Sequence, residues 1–176
     1  MTARRLEQLT RVHRAAVDDF TSRARALDDE TWFTPRAAGK WTPAQEARHL
    51  VLTYRAFIDD LRGERRLALK GTWWHRRIWR LFGLSVIKYA GRIPRAVRAP
   101  REVRPQAENT PRHALLLELA SEVDSFERVF ARVWSETPAH TVTHPFFGAL
   151  SLEDSITVAT VHTRHHARFL PRTVQV

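Results

Sequence analysis

Apolar residues recur along most of this chain at spacings of three and four, the period of a helix with one buried stripe. Four long segments carry that pattern, and no segment reads as a strand. The first runs from about Ala3 to Leu27, with Leu6, Leu9, Val12, Ala16, Val17, Phe20, Ala24 and Leu27 on one face. The second has a clear start: Thr42 can cap, Pro43 fits the first helical position, and Gln45 completes a Thr-x-x-Gln capping box. It is predicted to run from Pro43 to about Leu61, with Ala47, Leu50, Val51, Tyr54, Phe57, Ile58 and Leu61 as its stripe and Gly63 as its stop.

A third helix is predicted to start at Thr110-Pro111, a cap followed by proline, and to stop before Pro138. Its stripe runs from Leu116 through Phe126 and Phe130 to Trp134. The fourth follows Ser151-Leu152-Glu153-Asp154, a cap with acids in the first turn, where the helix dipole favours them, and reaches about Leu170. Four one-striped helices joined by two short connections and one long one imply an all-α, up-and-down four-helix bundle in a single domain over residues 1–176. The long connection, about 64–109, lies between helices two and three. Connections of that length usually have structure or a task of their own. It holds Trp73-Trp74-His75-Arg76-Arg77-Ile78-Trp79 and a proline-punctuated run from Ile93-Pro94 to Arg104-Pro105, and 72–90 can form a short extra helix.

Trp32, Phe33 and Trp41 flank the join between helices one and two and read as seals for that end of the bundle. His13 borders the stripe of helix one and reads as a core-edge residue.

Composition narrows the chemistry. The 176 residues include no cysteine, so disulfides, thiolate metal sites and cysteine nucleophiles are excluded, and a transition-metal site must use His, Asp or Glu. No stretch approaches the ~20 apolar residues of a membrane span and the N-terminus has no apolar signal core, which favours a cytoplasmic location. The net charge of +10 raises nucleic-acid or anionic-membrane binding as a possibility, but 26 of the 29 basic residues are Arg, a bias that genome composition alone can produce. Gly-rich phosphate loops, a Gly-x-Ser-x-Gly elbow and a dinucleotide fingerprint are all absent.

The run Val161-His162-Thr163-Arg164-His165-His166 is the most informative segment. His162 and His166 are four apart, so on a helix they stack about 6 Å apart on one face. That face also carries Ser155, Val158, Ala159 and Phe169 and therefore points inward. Two imidazoles so placed can share a metal, with His49 of helix two as the third ligand. At ~100° per residue His49 lies roughly 140° from the centre of its helix's stripe, which predicts a shallow site on a flank, near the open end of the bundle, with coordination positions left open.

These residues resemble the DinB-like family. Trp41-Thr42-Pro43-Ala44-Gln45-Glu46-Ala47-Arg48-His49-Leu50 is similar to that family's second-helix pattern, and His162-Thr163-Arg164-His165-His166 to its His-x-x-His-His motif. The segment His144-Pro145-Phe146-Phe147-Gly148-Ala149-Leu150 resembles a loop found before that motif in some branches. The resemblance covers helices one, two and four and leaves the Trp/Arg-rich insert unmatched. It implies a four-helix bundle, often a homodimer, with a divalent metal, commonly zinc or nickel, on His49, His162 and His166; His165 is then a neighbour. It also implies hydrolase-like chemistry or thiol transfer on a small substrate, with a low-molecular-weight thiol as a possible cofactor. This chain has Ala167-Arg168-Phe169 where many relatives have Arg-Gly-Gln.

Three functional classes stay open on the sequence. In the first the chain is a metal-dependent enzyme, with His144 and His165 as the nearest acid–base candidates. In the second it is a basic interaction module whose insert, with Arg76, Arg77 and Arg80 beside Trp73, Trp74 and Trp79, binds nucleic acid or anionic lipid while the metal site is structural or vestigial. The simpler alternative for those tryptophans is packing on the bundle or at a dimer interface. In the third the metal only stabilises the fold.

Overall fold

A computed structural model describes residues 2–93 and 98–171, so Pro94 and Arg95 of the proline-punctuated run lie outside the described residues. The chain is predominantly helical. Its α-helices are α1 (Ala3–Arg25), α2 (Asp29–Phe33), α3 (Pro43–Leu61), α4 (Trp73–Ile78), α5 (Arg112–Glu136) and α6 (Leu152–Ala167). Wider π-helical turns continue α4 at Trp79–Gly83 and Val86–Ala90, and a 3-10 turn covers Arg101–Val103.

Two starts follow the local chemistry read from the sequence. Thr42 and Gln45 form the reciprocal capping box of α3, and the Ser151 side chain accepts from the Asp154 N–H at the start of α6. The start of α5 differs from expectation. Its N-cap is Pro111, with no side-chain cap, because the Thr110 hydroxyl is drawn to Glu108.

The core forms where the long helices bury their stripes. α1 packs on α6 and on α5, and α3 packs on α5. Phe20, Leu50, Tyr54, Leu119, Phe126, Phe130 and Ile156 are all essentially inaccessible. Burial on this scale, at about 25 cal/mol per Å² of apolar surface, is the main force holding the helices together.

Strands are present after all. Thr141–His144 (β1) pairs antiparallel with Gly148–Ser151 (β2), and Gly148 takes the positive φ of 73° that the tight hairpin requires. Val142 and Leu150 are the only fully buried apolar residues of the pair, with His144 on the same side, which is why four-residue strands left no alternating signal. Buried Asp60, near the end of α3, anchors the hairpin by accepting the Thr143 N–H at 2.9 Å.

The insert is built onto the helices. Leu84 and Ile87 join Phe147, Leu150, Val158 and Val161 in a second apolar cluster, with Trp79, Ile93 and Phe146 at its edge. The Lys70 N–H also donates to the Pro145 carbonyl at 2.8 Å. Trp79 thus packs inward, whereas Trp73 and Trp74 do not pack on the helices and remain exposed. Among the described residues no helix is long and apolar enough to cross a membrane.

Two further expectations are corrected by depth. His13 is not at the core edge but fully buried. Its Nδ1 lies 2.8 Å from Glu127 and its Nε2 2.9 Å from the Tyr54 hydroxyl, so both polar atoms are satisfied inside. Of the three aromatics between α1 and α3, Trp32 is the seal: it is inaccessible and donates Nε1–H to the Thr110 carbonyl, whereas Phe33 is exposed.

Candidate metal centre

Two helices bring three imidazoles together. α3 supplies His49, and α6 supplies His162 and His166 one turn apart. The Nε2 atoms of His49 and His162 are 3.1 Å apart, and those of His162 and His166 are 3.0 Å apart. Each residue directs one nitrogen at the common centre, and all three nitrogens lie within 4.8 Å of one another.

For His49 and His166 the outer sides of the rings explain why the inner nitrogens are lone-pair donors. His49 Nδ1 is 2.6 Å from the Val103 carbonyl, which can only accept, so Nδ1 carries the proton and Nε2 is bare. His166 Nδ1 is 2.5 Å from a carboxylate oxygen of Glu46, itself buried. An imidazole whose second nitrogen is held by a carbonyl or carboxylate is the usual arrangement of a metal-binding histidine. Metal–nitrogen bonds of about 2.1 Å put neighbouring nitrogens about 3.0 Å apart at right angles and about 3.4 Å apart at a tetrahedral angle. The two short separations, 3.1 and 3.0 Å, fall at the lower end of that span, so the residues present fit a divalent ion.

The electrostatics agree. Burial pushes His49 down to about 4, against the help of its Val103 bond, and holds His162 and His166 well below the ordinary histidine range; the second cause is the charge of His49 for His162 and that of His162 for His166. All three are therefore neutral ligands at pH 7. Burial raises Glu46 to about 8, opposed by Arg36. Both shifts disfavour a Glu46–His166 ion pair even with Arg36 present; a cation at the centre would reverse that preference and place the proton on Nδ1.

His49 overturns the expectation of a shallow site. It is only 4% exposed. The helical wheel located it correctly off the stripe of α3, but that flank is covered by the insert, whose 3-10 turn supplies both Val103 and a lid. Trp41 is likewise not merely an end seal. Its ring lies 5.0 Å from that of His49 and stacks 6.2 Å from that of His166.

Beside the imidazoles lies a cavity of about 240 Å³, walled largely by Phe57, Trp79, Ile87, Phe146, Phe147 and Phe169. His144 and His165 also line it. His144 stacks on Phe147 at 4.4 Å, and its Nδ1 accepts the N–H groups of Phe146 and Phe147, both at 3.3 Å, which leaves its proton on Nε2. Burial pushes it down to about 3. His165, packed edge-on to Phe169, is lowered to about 4 by burial and then by Arg168 and Arg36. The Arg36 guanidinium sits 4.0 Å over the Phe169 ring.

Glu46 and Val103 are the contributors that sequence reasoning missed. Glu46 had a signal: it precedes His49 by three residues and so shares its face of the helix. Val103 acts through its backbone, which no side-chain pattern can reveal. His75, His113 and His140 take no part in the cluster.

No curated protein and no solved structure matches the chain. The family model of the DinB superfamily matches residues 12–170, a span that holds all three clustered histidines, both residues that orient them and the whole insert. On that match, the chain belongs to the DinB superfamily.

Proposed function

We propose that the chain is one domain, an up-and-down four-helix bundle with a structured insert, and that it is a metal-dependent enzyme whose divalent ion, zinc or nickel, is held by His49, His162 and His166. The observation that carries this reading is the convergence of three Nε2 atoms, with the rings of His49 and His166 oriented from behind by Val103 and Glu46. An ion on three neutral imidazoles keeps its full charge and acidifies a bound water or thiol toward neutral pH.

The chain's own residues do the rest. The apolar wall excludes water and takes the body of a small substrate, which supports hydrolase-like chemistry or transfer of a low-molecular-weight thiol. His144 presents a fixed Nε2–H as a hydrogen-bond donor, and its depressed basicity makes it a poor proton acceptor at pH 7. Arg36 and Arg168, beside His165, favour an anionic group on that side. His165 is the one cavity histidine with neither nitrogen tied to a protein partner among the described residues, so either nitrogen is free to hydrogen-bond a substrate, although its lowered basicity makes it a poor proton acceptor at pH 7 as well. The chain acts in the cytoplasm as a homodimer in this reading.

The test is metal content of tag-free protein by plasma mass spectrometry, with a sedimentation run on the same sample. Near one equivalent is expected in the parent and none in His49→Ala or His162→Ala. Glu46→Gln is expected to keep the fold and bind the ion about 10–100-fold more weakly in a chelator competition. Failure of the parent to take up zinc or nickel on reconstitution would remove the enzyme reading.

A further inference from the structure

Between Arg65 and Arg101 the chain has eleven Lys and Arg and no acidic residue; the rest is nearly balanced, with 18 basic against 19 acidic residues. The whole positive excess of the protein therefore sits in the insert. The insert also holds most of the large apolar side chains that the protein leaves in solvent. Trp73, Trp74, Ile78, Leu81, Phe82 and Tyr89 are 54–89% exposed, on the side opposite the buried Gly83, Leu84 and Ile87. Trp73 and Trp74 contact each other edge to face at 4.4 Å. Arg77, Arg80 and Arg92 are exposed and make no salt bridge among the described residues, although Arg77 lies over the Trp73 ring. Ordinary soluble surfaces scatter such residues; a contiguous set bordered by unpaired cations marks a contact surface.

We propose that the outer face of the 73–90 helix docks on anionic phospholipid, with the arginines at the headgroups and Trp74, Ile78, Leu81, Phe82 and Tyr89 at the acyl boundary. Helices that lie in a membrane interface combine an apolar face bearing Trp, Phe and Leu with flanking Lys and Arg. Charge argues against a second copy as the occupant, since a two-fold contact through this face would bring an acid-free cationic surface against itself. The aliphatic residues argue against nucleic acid: arginines and aromatics suit phosphates and bases, but exposed Ile78 and Leu81 gain little from them. The docking is peripheral, as the absence of a spanning helix among the described residues requires. It does not depend on the metal reading, because none of these outward residues touches the histidine cluster.

Vesicle flotation of the full chain tests this, with phosphatidylcholine vesicles made with and without phosphatidylglycerol. Binding is expected only with the anionic lipid and should fall with salt. The Leu81→Ser/Phe82→Ser pair, and independently the Trp74→Ser/Tyr89→Ser pair, should weaken it about tenfold or more. The Arg77→Ala/Arg80→Ala pair should weaken it about tenfold and flatten the salt dependence. Circular dichroism selects the pairs that keep the parent fold. Absence of binding to anionic vesicles, or binding indifferent to every folded pair, would overturn the proposal. So would a parent dimer that the apolar pairs dissociate, or salt-sensitive binding of an oligonucleotide in place of vesicles.

Discussion

For two of the three clustered histidines, position is reinforced by what holds the far nitrogen. His49 and His166 are fixed by an acceptor behind each ring, whereas His144 is fixed by two donors, the N–H groups of Phe146 and Phe147. The same side chain is thereby given opposite tasks: a bare Nε2 in the first two, an Nε2–H in the third. The difference also sets how acid attacks the fold. His144 is lowered by burial to about 3 from an unfolded value near 6.5, so the unfolded chain binds the proton first. Stability from this group is present above about pH 6.5 and is lost as pH falls toward 3. A His144→Asn variant keeps an acceptor for the two backbone N–H groups and removes the titration. Urea unfolding between pH 7 and pH 4 is expected to show a shallower acid loss in the variant, by up to about 1.4 kcal/mol per pH unit. Equal slopes in the two proteins would show that His144 does not titrate on unfolding.

Among the elements, those with their own punctuation were legible and those that borrow stability from neighbours were not. Thr42, Pro43 and Gln45 state the start of α3, and Pro43–Leu61 is the span observed. The pairing of His162 with His166 was legible for the same reason, as a fixed interval on one helix. The hairpin was not legible, because Val142 and Leu150 are its only buried apolar residues and Asp60 of a distant helix holds its edge. The depth of His49 was not legible either: a helical wheel sees one stripe per helix, and the insert supplies a second wall. That wall depends on close packing at Gly83. A Cβ there would meet the Trp79 ring at 2.9 Å and the Phe147 ring at 3.0 Å. Gly83→Val is therefore expected to lower the unfolding free energy by about 1–3 kcal/mol, although valine is the better helix former. A neutral or stabilising result in denaturant titration would mean that the insert does not pack against the hairpin.

Across the whole molecule, the proposed centre is where segments far apart in sequence are tied together. His49 comes from α3, His162 and His166 from α6, and Val103 brings the end of the insert to the same point. Outside the centre α3 and α6 meet directly at the Tyr54–Thr163 hydroxyl pair, 2.7 Å apart, while the main helix contacts are α1 with α6, α1 with α5 and α3 with α5. An ion on the three histidines would therefore cross-link two helices that are not main packing partners. Because the site does not exist in the unfolded chain, ion binding adds directly to stability, by about 2.7 kcal/mol when free ion is at a hundred times its dissociation constant. In a chain of this size that corresponds to a melting shift of about 5–10 °C. Calorimetry of the loaded protein with and without chelator should show that drop, and His162→Ala should show no response to chelator. Hydrogen exchange on chelation should rise first around Val103 and in the first turns of α3, where the imidazole and its carbonyl hold the insert down, while the Phe126–Phe130 layer of α5 stays protected. A melting point indifferent to chelator in a parent that does carry the ion would mean that the three imidazoles are held in place by the fold alone, with the ion free to serve catalysis without supporting the structure.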